Sequence, residues 1–130
     1  MGLSMTKILV AEDEADIREL VAFSLENIGG FQVVKARNGV EAVEVARTEI
    51  PDLILMDVRM PRMTGVEACA KLKTIPETKD IPVVFLSAMG QEQEIQQGMD
   101  VGATEYVLKP FAPDVLMAKV REILERADKA

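Results

Sequence analysis

Short unbroken apolar runs alternate along the chain with stretches whose apolar positions recur every three or four residues. The runs are Ile8-Leu9-Val10-Ala11, Val33-Val34 at the centre of Phe31 to Ala36, Leu53-Ile54-Leu55-Met56, Val83-Val84-Phe85-Leu86, and a weaker one from Glu105 to Lys109. Unbroken runs of this length suit strands covered on both faces, as in a parallel sheet. Between and after them lie helical patterns. Ile17, Leu20, Val21, Leu25 and Ile28 form one apolar stripe that Gly29-Gly30 stops; Val40, Val43 and Ala46 follow the Asn38-Gly39 turn signal and end before Pro51. A third helix is predicted from about Thr64 to Thr74, with Val66, Cys69, Ala70 and Leu72. Gln91 to Gly102 gives the weakest helix, with Ile95, Met99 and Val101 as its apolar positions and Gly98 inside it. The last helix starts at Pro113 and carries the Val115, Leu116, Lys119, Val120, Ile123, Leu124 repeat.

Five strands alternating with five helices predict an α/β domain with right-handed crossovers, a parallel sheet and helices on both faces. Periodicity does not set the strand order. A five-stranded barrel is disfavoured by size, so the expectation is an open, doubly wound five-stranded parallel sheet in the order 2-1-3-4-5.

The residues that close the strands change the picture. The first strand runs into Glu12-Asp13, the third ends on Asp57, the fourth on Ser87 and the fifth on Lys109. In a parallel sheet all carboxyl ends share one edge, and neighbouring strands lie about 4.8 Å apart. If the first and third strands are neighbours, three carboxylates crowd together. Two unit charges 4 Å apart repel by about 4 kcal/mol at an effective dielectric of 20, so the acids raise one another's pKa or recruit a cation. All-oxygen ligation favours a hard ion, Mg²⁺ before Ca²⁺. Beside such an ion Asp57 is a candidate nucleophile for phosphoryl transfer. Lys109 can pair with the phosphoryl group as a point charge, and Ser87 can donate to one of its oxygens. Taken singly, Glu12-Asp13 is a helix start, Ser87 a loop cap, Lys109 a surface charge and Tyr106 a half-buried strand aromatic; their joint placement at one rim is the signal.

Composition narrows the classes. The chain has 130 residues, 48% of them hydrophobic, enough for one packed domain. With no His and one cysteine, Cys69, it lacks His-based catalysis, thiolate metal clusters and internal disulfides. A net charge of −7 argues against a direct nucleic-acid surface. No apolar run approaches a membrane span and no secretory signal is visible, so a cytoplasmic location is expected. Met1 to Ser4 precede a second methionine, Met5, and read as an extension ahead of a domain spanning residues 5–128.

The acidic pair Glu12-Asp13, Leu55-Met56-Asp57 with Met60-Pro61 and Gly65 following, Leu86-Ser87-Ala88, Tyr106 and Lys109-Pro110-Phe111 together resemble the receiver domain of two-component response regulators, the stand-alone chemotaxis type included. The match runs from Lys7 to about Asp128. The resemblance implies a flavodoxin-like (βα)5 fold in which Asp57 is the phosphoacceptor, taking its phosphoryl group from a sensor histidine kinase, a phosphotransfer protein or a small donor such as acetyl phosphate. Glu12, Asp13, Asp57 and the backbone carbonyl of Arg59 would bind Mg²⁺, and Ser87 and Lys109 would contact the phosphoryl group. Ser87 and Tyr106 would be the switch pair, and the Lys109-Pro110 bond is often cis in the family. Arg59 and Met89 stand at variable positions that tune dephosphorylation. Output to a downstream protein would pass through the face of the fourth helix, fifth strand and last helix.

Three other readings compete. An aspartyl-nucleophile phosphohydrolase would place a second acid two residues after the nucleophile, where this chain has Arg59. A flavin or nucleotide module would need a Gly/Ser/Thr-rich phosphate loop after the first strand, where Glu12-Asp13-Glu14 repels phosphate. A docking module that never takes phosphate would have no use for the full set of rim residues.

Overall fold

A computed structural model of the chain describes residues 6–129. Its elements in chain order are β1 (Lys7–Ala11), α1 (Ala15–Asn27), β2 (Gln32–Ala36), α2 (Gly39–Glu49), β3 (Leu53–Asp57), α3 (Gly65–Leu72), β4 (Val83–Ser87), α4 (Glu92–Asp100), β5 (Glu105–Leu108) and α5 (Pro113–Lys129). The five strands form one parallel sheet in the order β2-β1-β3-β4-β5, as expected. The proposed extension Met1–Ser4 and the domain start at Met5 lie outside the described residues.

Each face of the sheet has its own core, because successive strand residues point to opposite faces. Leu9, Ile54, Met56 and Phe85 pack with Ala42, Val43 and Ala46 of α2 and with Cys69 and Leu72 of α3. Ile8, Val10, Leu53, Leu55 and Leu86 pack on the other side with Val21 and Leu25 of α1 and Leu116, Val120 and Ile123 of α5. All five residues of β3 and of β4 are buried, which accounts for their unbroken apolar runs.

One expected helical stripe and several element bounds are corrected. On α1 the buried residues are Val21, Ala22, Ser24 and Leu25, whereas Leu20 and Ile28 are more than half exposed. The helix is rotated so that small Ala22 and Ser24 are buried, and the Ser24 hydroxyl donates within the helix to Leu20 O at 3.0 Å. The third helix begins later and stops earlier than its pattern. Thr64 and Glu67 form a capping box at its start, and Gly65 is needed there because a Cβ would overlap the Asp57 carbonyl oxygen. That close approach fixes the β3–α3 loop against the end of β3. The fourth helix is shorter than Gln91 to Gly102, and β5 ends at Leu108, one residue before Lys109.

Candidate functional site

The register brings the strand ends level. Ala11 is opposite Met56, Asp57 opposite Leu86, and Ser87 opposite Leu108. The next residue of each chain segment therefore projects at the same rim. Glu12, Asp13 and Asp57 each turn a carboxylate oxygen to within 4.8 Å of the others. Glu12 is fully buried, Asp57 nearly so, and Asp13 is exposed. Lys109 reaches across the end of β4, and its Nζ donates to Asp57 Oδ1 and Glu12 Oε1, both at 3.0 Å. The Ser87 Oγ is buried at the end of the strand beside β3 and has no hydrogen-bond partner among the described residues. A buried hydroxyl without a partner is costly, which leaves Ser87 a donor available to an incoming acceptor.

Burial raises the pKa of Asp57; the Lys109 hydrogen bond opposes this and the Asp13 charge adds to it. Glu12 is likewise raised, first by burial, with Lys109 opposing and Asp57 reinforcing. Burial works to lower Lys109, but its hydrogen bonds to Asp57 and Glu12 overcome this and leave it raised, firmly an ammonium. One ammonium against three carboxylates leaves two negative charges unbalanced, the charge of one divalent cation. An all-carboxylate set with an exposed member, Asp13, suits a hard ion that keeps waters and remains open to a second ligand. The residues present thus could hold a metal ion, with a buried hydroxyl and an ammonium available to an anion beside it.

The structure gathers Glu12, Asp13, Asp57 and Lys109 and sets Ser87 on the adjacent strand end. Tyr106 stands apart, near the middle of β5 and 43% exposed. Arg59 lies in the loop after β3, and its side chain turns away to Glu94 of α4, with Nε 2.7 Å from Oε2. The Lys109-Pro110 peptide is cis. Two further side chains brace the site and stand outside the sequence-predicted set. Arg18 donates from Nη1 to the Glu12 carbonyl at 2.8 Å, bracing the loop that carries the acidic pair. Glu94 holds Arg59. An Arg one turn into the helix after an acidic pair is a usable signal for the first; a contact spanning 35 residues left none for the second.

A parallel sheet in this order, with a near-buried Asp at its central strand end, two acids beside it and a bridging Lys, agrees with the comparison with known families. The response regulator receiver domain model matches residues 8–121. The chain belongs to this family. The receiver is 43% identical over 120 residues to the phosphate regulon transcriptional regulatory protein PhoB of Escherichia coli strain K12, covering 92% of this chain and 52% of that protein. It is 42% identical over 123 residues to the protein named "Probable transcriptional regulator ycf27" of Pyropia yezoensis, covering 95% and 49%. Among solved structures it is similar to the signal receiver domain of a histidine kinase from Syntrophus aciditrophicus (TM-score 0.87, 33% identity, 96% of this chain and 94% of that one). It is also similar to the chemotaxis response regulator CheY4 of Vibrio cholerae (TM-score 0.85, 33% identity, 92% and 98%). The receiver spans about half the length of the curated relatives it matches.

These relatives overturn one expectation. The sequence predicts only protein partners, a kinase or phosphotransfer protein and a downstream protein, with no direct nucleic acid. Yet the curated relatives are named transcriptional regulators. The physical reason for the error is scope: a net charge of −7 describes the surface of these 130 residues, which correspond to about half of such a regulator, and says nothing of what the other half contacts. The same names are those of regulators rather than enzymes. Among the described residues no helix is long and apolar enough to cross a membrane.

Proposed function

We propose that the receiver accepts a phosphoryl group on Asp57 in a Mg²⁺-dependent step and that this charge switches its conformation. The observation that carries the reading is the rim itself: three convergent carboxylates, the Lys109 ammonium shared between two of them, and the unpartnered buried Ser87 hydroxyl.

Glu12, Asp13 and Asp57, with the Arg59 backbone carbonyl, would hold Mg²⁺. When bound, the ion neutralises charge on the phosphoryl oxygens. An Asp57 carboxylate oxygen attacks phosphorus of a phosphohistidine or a small acyl phosphate. A new P–O bond forms as the bond to the donor breaks, and the electron pair leaves with the imidazole or carboxylate. Lys109 stays protonated throughout and exchanges part of its contact with Asp57 for a phosphoryl oxygen. Ser87 supplies the hydroxyl hydrogen bond for which the resting site gives it no acceptor. Its movement vacates space that Tyr106, now half outside, can turn into. Self-catalysed loss of the phosphoryl group to water is the only turnover in this reading. The output in this reading is control of transcription, which the relatives' names support, and a cytoplasmic location and a domain spanning residues 5–128 belong to the same reading.

Incubation with acetyl phosphate and Mg²⁺ should add one phosphate to the chain, read by intact mass, and Asp57→Asn should abolish it. Equal labelling of the Asn variant would disprove the assignment. Repeated turnover of p-nitrophenyl phosphate would favour the phosphohydrolase instead.

A further inference from the structure

α4 is the most loosely held of the helices on its face of the sheet. Gly98 is its buried residue, lying so close to the Phe85 ring that a Cβ there would overlap it. That contact sits in the second half of the helix. The first half is held by polar tethers: the Ala88 N–H donates to Gln91 Oε1 at 2.7 Å, and Arg59 Nε donates to Glu94 Oε2 at 2.7 Å. Among the described residues the Arg59–Glu94 bridge is the one ion pair that ties α4 to another element. Arg59 follows Asp57 by two residues, so the tether runs straight from α4 to the loop leaving the acceptor carboxylate.

We infer that Arg59 and Glu94 form a charge latch holding the first turns of α4 against this loop, and that a phosphoryl group on Asp57 opens it by drawing the Arg59 guanidinium to itself. The inference rests on Asp57 being the phosphoacceptor. The pair is poised for competition. Arg59 is 65% exposed, so solvent and salt screen its attraction to Glu94 and the bridge is weak. A phosphoryl group adds about −1.5 to −2 charges and three acceptor oxygens. Residues two apart along a chain are separated by at most about 7 Å, within the span of an arginine side chain. A planar guanidinium also matches phosphate oxygens in a two-pronged geometry that a single carboxylate contact from Nε does not use. Once Glu94 is released, the apolar contact at Gly98 remains, and α4 can pivot about the Phe85 ring.

The test is amide hydrogen exchange in α4 at low salt for the wild type, Glu94→Gln and Glu94→Lys, each with and without acetyl phosphate and Mg²⁺, with phosphate incorporation read separately by intact mass. Without phosphate, Glu94→Gln should exchange roughly two- to fivefold faster than the wild type in the first turns of α4, and Glu94→Lys faster still. Phosphorylated wild type should reach the Glu94→Gln rate, and phosphorylation of Glu94→Gln should add little. Raising salt to about 1 M should speed the unphosphorylated wild type and leave Glu94→Gln unchanged, a response that a merely structural contact would not give. The latch is refuted if unphosphorylated Glu94→Gln exchanges at the wild-type rate, if salt has no effect, or if phosphorylation loosens both proteins equally. Failure of the wild type to take phosphate would instead remove the Asp57 reading and with it the release step, while the unphosphorylated comparison still decides whether the latch exists.

Discussion

β3 and α4 approach the same rim and are built in opposite ways. β3 is a central strand with every residue buried, and it carries Asp57 at its end. α4 buries one residue, a glycine, and is tied to the loop after β3 by the half-buried Glu94. In the proposed function Asp57 meets a cation, an ammonium and an incoming phosphorus within a fraction of an ångström, and such a carboxylate belongs on the element least able to move. The element proposed to answer a change of about two charges belongs where little apolar contact resists it. Rigidity and looseness are thus divided between neighbours rather than averaged over the fold.

The contrast can be broken most severely at β3. Leu55→Ala removes a fully buried side chain and should cost about 3–4 kcal/mol in urea unfolding; a cost near that of a surface substitution would contradict the rigid-strand account. Next in size is Lys109→Met. It leaves the Glu12 and Asp57 carboxylates without their shared cation and should cost about 2–3 kcal/mol, less than a fully buried pair because Lys109 is one-fifth exposed. Added Mg²⁺ should recover part of that loss, seen as a rise in unfolding midpoint.

Gly98→Ala should follow, at about 1–3 kcal/mol, although alanine is the better helix former, because the new Cβ overlaps the Phe85 ring. Its exchange signature should be confined to α4. A stabilised Ala variant would mean that α4 is not seated where the structure has it.

The smallest effect concerns pH. Asp57 and Glu12 bind their protons more tightly folded than unfolded, so the part of stability they contribute is complete below the usual carboxylate range and is lost as pH rises through their raised values. Asp57→Asn should therefore unfold a few degrees above the wild type near neutral pH without Mg²⁺. That advantage should shrink as pH falls to about 4. An advantage that grows toward acid would show that Asp57 is stabilised, not strained, by its surroundings. Lys109 adds its own limb: raised by its two carboxylate partners, it contributes stability at neutral pH that is lost only as alkali strips its proton.

Much of this was legible in the chain. The apolar runs of β1, β3 and β4 are read directly as doubly covered strands, and the acids, hydroxyl and amine that follow them mark the rim. Less legible was orientation. Leu20 and Ile28 fit a helical stripe on α1 as well as Val21 and Leu25 do, but only docking on the sheet decides which side of a broad stripe turns inward. Gly98 looked like a helix weakness and is a packing solution, because the ring it accommodates, Phe85, is thirteen residues away on another element.

By itself the sequence determined the alternation of elements, the parallel sheet and the chemistry at its strand ends, since these follow from local periodicity and from the rule that parallel strands end on one edge. Only the tertiary structure decided that Glu12 is buried while its neighbour Asp13 is exposed, that Lys109 crosses a strand to bridge two carboxylates, that Ser87 finds no partner among the described residues and that Arg59 is tied to Glu94. The reason is distance along the chain: these contacts join residues 35 to 97 positions apart, where no sequence period reaches and only the closed packing of sheet and helices fixes who meets whom.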